Sequence, residues 1–316
     1  MQPKALPFVL IGFLACNASA WGPEGHQTIA EIARNLLTPE ARTKVSAILH
    51  HDNLAAIATW ADEVRAAGRG KGPLVDDQEA AAFNDAFPDN DKWHFVNLPL
   101  GTTNYNRKGP FSSPDDVVHT IVRCIAVLEG TSQEFSDSQA LKLLVHFVGD
   151  IHQPLHVGTG YYATHNDSVP LLVTDPGEAS HKADDEGGNK LFYNTGRFDE
   201  LHAYWDGYLV GHVAHTTTYH KLAPYLSNKV EKVAWKNKGD YHAWPDQWAS
   251  ESVHLAQKAY EGLDFHSAEF NTHHGLRKIV VSMPSDYADK NIPRVAEQLA
   301  KGGYHLAELL NAIHWK

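Results

Sequence analysis

Apolar residues recur at helical spacing along most of the chain. In 28–37, Ile29, Ile32, Ala33, Leu36 and Leu37 fall on one face of a helix. Thr38-Pro39-Glu40 then reads as an N-cap, a proline at the first position and an acidic first turn, opening a helix to residue 50. The spacing predicts further helices at 53–67, ended by Gly68, and at 113–128, opened by Ser113-Pro114-Asp115-Asp116 and stopped before Gly130. Residues 136–150 are apolar on most faces (Leu141, Leu143, Leu144, Val145, Phe147, Val148), which predicts a buried central helix. Helices at 199–211, 216–235, 246–262 and 292–313 complete the set. Strand patterns are scarce, and 279–283 is a short apolar run of undecided type. The pattern predicts an all-α fold in a single, mostly helical domain. Two long loop insertions, 68–92 and 158–189, interrupt it, and structureless stretches of that length are usually functional.

Composition changes the picture at the N-terminus. Lys4, the apolar run 5–15 and Ala18-Ser19-Ala20 have the layout of an export signal, with cleavage expected after Ala20. That run is shorter than the ~20 residues a membrane span needs, and no later stretch is long and apolar enough to span a membrane. The expectation is a signal peptide at 1–20 and a secreted or periplasmic domain at 21–316, without a stable membrane anchor. A lipoprotein signal ending at Cys16 is the alternative. Once Cys16 leaves, Cys124 has no partner for a disulfide, so bound metal is the candidate staple. With 27 Lys+Arg against 38 Asp+Glu, the net charge of −11 argues against a nucleic-acid binder that works through a basic surface. An anionic substrate would need a local positive source.

Metal-ligating residues supply one. His146-x-x-x-Asp150 puts an imidazole and a carboxylate on one helical face, and His202-x-x-x-Asp206 repeats the arrangement. His156 follows Asp150 after a turn at Pro154; Asp62 and His94 each lie close to a Trp. Trp21-Gly-Pro-Glu-Gly-His26 would offer a free α-amine and an imidazole after cleavage. Nitrogen and carboxylate oxygen are the ligands of hydrolytic zinc. One His-x-x-x-Asp is usually a salt bridge; two, with His-Gln-Pro-Leu-His between them, are hard to assign to chance.

These blocks resemble the S1/P1 nuclease family, related more distantly to bacterial zinc-dependent phospholipases C. The resemblance is carried by Trp-Gly-x-x-Gly-His at 21–26, Trp-Ala-Asp-x-x-Arg at 60–65 and Trp-His-Phe-Val-Asn at 93–97. It continues in His-Phe-Val-Gly-Asp-Ile-His-Gln-Pro-Leu-His at 146–156, Gly-Gly-Asn at 187–189 and Leu-His-x-x-Trp-Asp at 201–206. It implies three Zn2+ per chain in a mostly helical fold of the phospholipase C/P1 nuclease type. One zinc would take Asp62, His94, His146 and Asp150; a neighbour would take Trp21 through its amine and carbonyl, His26 and Asp150; the third would take His156, His202 and Asp206.

The implied activity is sugar-nonspecific endonuclease and 3′-nucleotidase action on RNA, single-stranded DNA and 3′-mononucleotides by a monomer. An activated water would attack phosphorus in line and leave 5′-phosphates. Asp62 and Arg65 are the implied catalytic pair, Asp62 orienting the water and Arg65 steadying Asp62 and the transition-state charge. Phe95 would stack on a base, and Asn97 and Asn189 would contact it. The fungal and plant members carry Asp where this chain has Asn97, and they have disulfides, so the chain resembles a bacterial member. The alternative function is a phospholipase C, which would have Glu in place of Asp206.

Overall fold

Capping chemistry and proline set where the helices begin. The computed structural model describes residues 21–50, 52–163, 169–193, 199–215, 217–228, 235–271 and 275–316; the 1–20 signal expected from sequence lies outside them. Helix α1 (Pro23–Leu36) starts on Pro23, and α2 (Pro39–Leu49) starts on Pro39 with the Thr38 hydroxyl accepting from Ala41 N at 3.2 Å. The stretch expected as one helix at 53–67 is two, α3 (Leu54–Ile57) and α4 (Trp60–Gly68). Helix α5 (Gln78–Ala86), capped by Asp77, and a 3-10 turn (Asn90–His94) occupy much of the segment expected to be loop 68–92. Next come α6 (Val117–Leu128), capped by Asp116, and α7 (Asp137–Ile151). Ser136 and Gln139 close a reciprocal capping box at the start of α7.

The second half is less regular. A 3-10 turn (Pro154–His156) leads into the 158–189 insertion, which contains α8 (Pro176–Ala179) and several short strands. The expected helix at 199–211 is three pieces: α9 (Leu201–Ala203), a π-helical turn (Tyr204–Leu209) and α10 (Val210–Ala214). Helix α11 (Tyr219–Ser227) covers part of 216–235, of which 216 and 229–234 lie outside the described residues. Helices α12 (Trp244–Tyr260) and α13 (Tyr287–Ala312) complete the fold.

The all-α expectation is corrected in detail, because three small sheets occur among the described residues. Strands β1 (Leu98–Pro99) and β2 (Gly158–Thr159) pair in parallel. Strand β3 (Tyr161–Ala163) lies between β4 (Leu171–Val173) and β5 (Ala183–Asp184). Strand β6 (Leu191–Phe192) joins a hairpin of β7 (Asp264–Asn271) and β8 (Gly275–Ser282), which absorbs most of the undecided run at 279–283.

Helix α7 is the expected central helix. Leu141, Leu144 and Val148 are completely buried, and each such side chain contributes about 1.5–3 kcal/mol relative to exposure. It packs on α6, α1 and α13, while α1 also packs on α13, α11 and α3. Gly149 lets α7 approach α1: a Cβ there would stand 2.6 Å from His26 Nδ1. That approach brings His26 to the polar end of α7. No helix among the described residues is long and apolar enough to cross a membrane.

Candidate metal centre

Five of the expected ligand residues meet at the C-terminal half of α7. Asp150 is wholly buried and faces two ways. Its Oδ1 lies 3.3 Å from His26 Nε2, and its Oδ2 lies 3.0 Å from His94 Nδ1 and 3.4 Å from His146 Nε2. Asp62 Oδ1, on α4, lies 3.7 Å from His94 Nδ1 and 3.8 Å from His146 Nε2. His26, His146 and Asp150 form one group of potential ligands, and Asp62, His94 and His146 form another, each with atoms within 4.8 Å of one another. His146 therefore belongs to both, and the two-faced Asp150 carboxylate has the geometry of a bridge. The break between α3 and α4 has a use here: His146 Nδ1 donates to the Ala58 carbonyl at 2.8 Å, which leaves Nε2 as the nitrogen that faces the carboxylates.

The remaining three expected side-chain ligands form a separate group, His156, His202 and Asp206. His202 Nε2 lies 3.0 Å from His156 Nε2 and 3.2 Å from Asp206 Oδ2. His156 Nδ1 donates to the His94 carbonyl at 2.6 Å, and His202 Nδ1 donates to the Gly187 carbonyl at 2.8 Å. Both imidazoles thus turn a lone pair toward the same point. Two lone pairs at 3.0 Å repel one another unless a proton or a cation stands between them. Gln153 Nε2 donates to Asp206 Oδ1 at 2.7 Å and fixes the carboxylate.

The donor set fits metal. His26 Nε2, His146 Nε2, Asp150 Oδ1 and Asp206 Oδ2 are buried without a hydrogen-bond partner. Each such atom costs about 1–3 kcal/mol unless something compensates it. Burial drives His94 down to about 3 and His156 down to about 4, so both are neutral and ready to ligate. Burial would also lower His146, but Asp150 and Asp62 outweigh it and hold His146 up at about 9. A metal here displaces that proton. Burial works against ionised Asp150 and Asp62, yet His146 beside the first and Arg65 beside the second keep both carboxyls below their usual range.

The other expected residues gather around a cavity of about 140 Å³ next to the outer group. Arg65, Phe95, Asn97, Asn189, His156 and His202 line it. Arg65 Nη2 donates to Asp62 Oδ1 at 2.6 Å, so the guanidinium links the inner group to the cavity. Phe95 is 36% exposed and lines the cavity. Asn189 Nδ2 donates to the Glu186 carbonyl at 2.7 Å. Trp21 has a fully buried side chain, and a Cβ on the next residue, Gly22, would lie 3.1 Å from the Asp206 carbonyl oxygen. The N-terminal segment therefore runs beside the outer group.

Sequence reasoning missed Gln153, Asp185 and Glu186. Gln153 sits inside the motif at 146–156, and its place between two ligands was the available signal. Glu186 lines the cavity and pairs with Lys190 at 2.9 Å.

The chain is similar to several known nucleases. A family model described as S1/P1 Nuclease matches residues 21–314. Endonuclease 4 of Arabidopsis thaliana is 28% identical over 94% of this chain and 90% of its own length. Nuclease P1 of Penicillium citrinum is 27% identical over 93% of this chain and 98% of its own. Nuclease S1 of Aspergillus oryzae is 24% identical over 99% and 98%.

Proposed function

Because the chain belongs to the S1/P1 nuclease family, we propose that it is an exported zinc-dependent nuclease and 3′-nucleotidase. It cleaves RNA and single-stranded DNA and leaves 5′-phosphates. One observation carries this reading: among three groups of His and Asp with orphaned buried atoms, the outer one lines a cavity that presents a guanidinium and an aromatic ring. Asp62, His94, His146 and Asp150 would hold one zinc, Trp21, His26 and Asp150 the second, and His156, His202 and Asp206 the third. Zinc supplies Lewis acidity toward phosphoryl oxygens and makes water acidic enough to ionise at about neutral pH.

The side chains do the rest. Asp62 receives Arg65 on Oδ1, so its other oxygen is available to orient a water proton. Arg65 reaches the cavity and offsets charge that develops on a scissile phosphate. Phe95 stacks on a base without regard to its identity, and Asn97 meets the base edge with either its oxygen or its NH2. The expected result is weak base preference. Signal cleavage after Ala20 frees the Trp21 amine to ligate.

The test is hydrolysis of RNA, single-stranded DNA, a 3′-mononucleotide and phosphatidylcholine side by side, with the product ends identified. The first three are cleaved and the lipid is not. Lipid cleavage with intact RNA would move the site to the phospholipase class.

A further inference from the structure

One buried carboxylate outside the ligand set has an unusual number of donors. Asp185 is completely buried. Its Oδ1 accepts from Gly188 N at 2.9 Å, Tyr260 hydroxyl at 2.9 Å, Gly160 N at 3.2 Å and Thr159 hydroxyl at 3.3 Å; its Oδ2 accepts from Tyr162 hydroxyl at 2.7 Å. These donors come from α12, from the β2–β3 segment and from the turn just beyond Asp185 itself. None is a metal ligand, and the proposed reaction does not use Asp185.

The turn beyond Asp185 is left-handed. Glu186, Gly187 and Gly188 have φ of 55°, 63° and 83°, three successive left-handed residues. Glycine adopts this region freely, so the cost falls on Glu186, which holds it only where its surroundings impose it. Here every N–H of the run meets a side-chain oxygen: Glu186 N donates to Asp184 Oδ1, Gly187 N to Thr159 Oγ1 and Gly188 N to Asp185 Oδ1. With the N–H groups tied down, two carbonyls of the turn are left to serve the site. Gly187 O accepts from His202 Nδ1, and Glu186 O accepts from the Asn189 amide. The space is full as well, since a Cβ on Gly187 would stand 2.0 Å from the Leu155 carbonyl oxygen.

We propose that Asp185 is a positioning residue for the outer metal group. By holding the left-handed turn 186–188 it sets the carbonyl that orients His202 and, on the same turn, the amide of Asn189 at the cavity. Asp185 touches neither substrate nor metal, and its effect passes through backbone. This rests on the reading of His156, His202 and Asp206 as a metal group.

The experiment measures metal per chain after dialysis against graded chelator, together with kcat and KM for a 3′-mononucleotide, in the full-length processed protein. Wild type retains three equivalents. Asp185→Ala and, independently, Gly187→Ala retain two, with the affinity of the third reduced about tenfold or more, the range seen when partners of metal ligands are removed. In both variants KM rises as well as kcat falling, because Asn189 shifts with the turn. Asp185→Asn keeps an oxygen for Gly188 N and restores the third equivalent to within a few-fold of wild type. If both disruptive variants keep three equivalents at wild-type chelator resistance, or lose all three together, Asp185 has no such role. Should either fail to fold, Tyr260→Phe removes one donor at constant volume, and an unchanged third site there overturns the proposal. A wild type with fewer than three equivalents refutes the metal reading itself, which is a separate result.

Discussion

The two ligand groups are built in opposite ways. The inner one, around Asp150, draws on α1, α4, α7 and the turn before Phe95, and its imidazoles are at most 1% exposed. Its geometry comes mainly from helix packing, including the close approach at Gly149, with one bond to the Ala58 carbonyl turning His146. The outer group stands on a 3-10 turn, a three-residue helix and a π-helical turn. Its geometry comes from single hydrogen bonds to carbonyls at His94 and Gly187 and to the Gln153 amide. A site fixed by packing is rigid and closed. A site fixed by a few bonds at the lip of a cavity can admit a phosphate, and π turns of this kind often mark such positions.

The contrast can be broken at several depths. The largest effect is expected for Asp150→Ala, which removes the carboxylate that both inner zincs would share: turnover falls about a thousandfold or more, the scale of losing a principal electrostatic element, and inner metal is lost with it. Metal analysis and kcat check this. A chain that keeps one extra residue before Trp21 should lose one inner equivalent and most of its activity while its outer group still binds; full activity would remove Trp21 from the ligand set. Gln153→Leu strikes only the outer group, lowering the affinity of one equivalent about 10–100-fold and sparing the others in a chelator titration. Arg65→Ala, at the junction, should lower kcat about tenfold with little change in KM or metal content. The smallest effect is reserved for Asn97→Asp. Zinc content stays constant, and preference among four 3′-mononucleotides shifts a few-fold toward bases that present donors, notably guanine; an unchanged profile would place Asn97 away from the base.

The ligand residues of both groups were legible in the sequence; what orients them was not. His146 and Asp150 lie four apart in a helix whose apolar run is plain, so their shared face comes from the period alone. His202 and Asp206 have the same spacing, yet the π turn between them left no trace in the pattern. The carbonyls of Ala58, His94 and Gly187 carry no residue signature at all. In the fold, strands of two or three residues are too short to show alternation. The longer β7–β8 hairpin escaped because register shifts at Phe265/Ser267 and Glu269/Phe270 break its period. Helix α5 was hidden in a segment whose Gly and Asp content suggested loop, although Asp77 was available as its cap.

The bond from His156 to the His94 carbonyl has a consequence for how the two groups are connected. An imidazole of the outer group takes its direction from the main chain of an inner ligand, so the two groups share a joint made of backbone rather than a shared side chain. By reciprocity, what steadies the outer imidazole also steadies His94, and what steadies His94 also steadies His156.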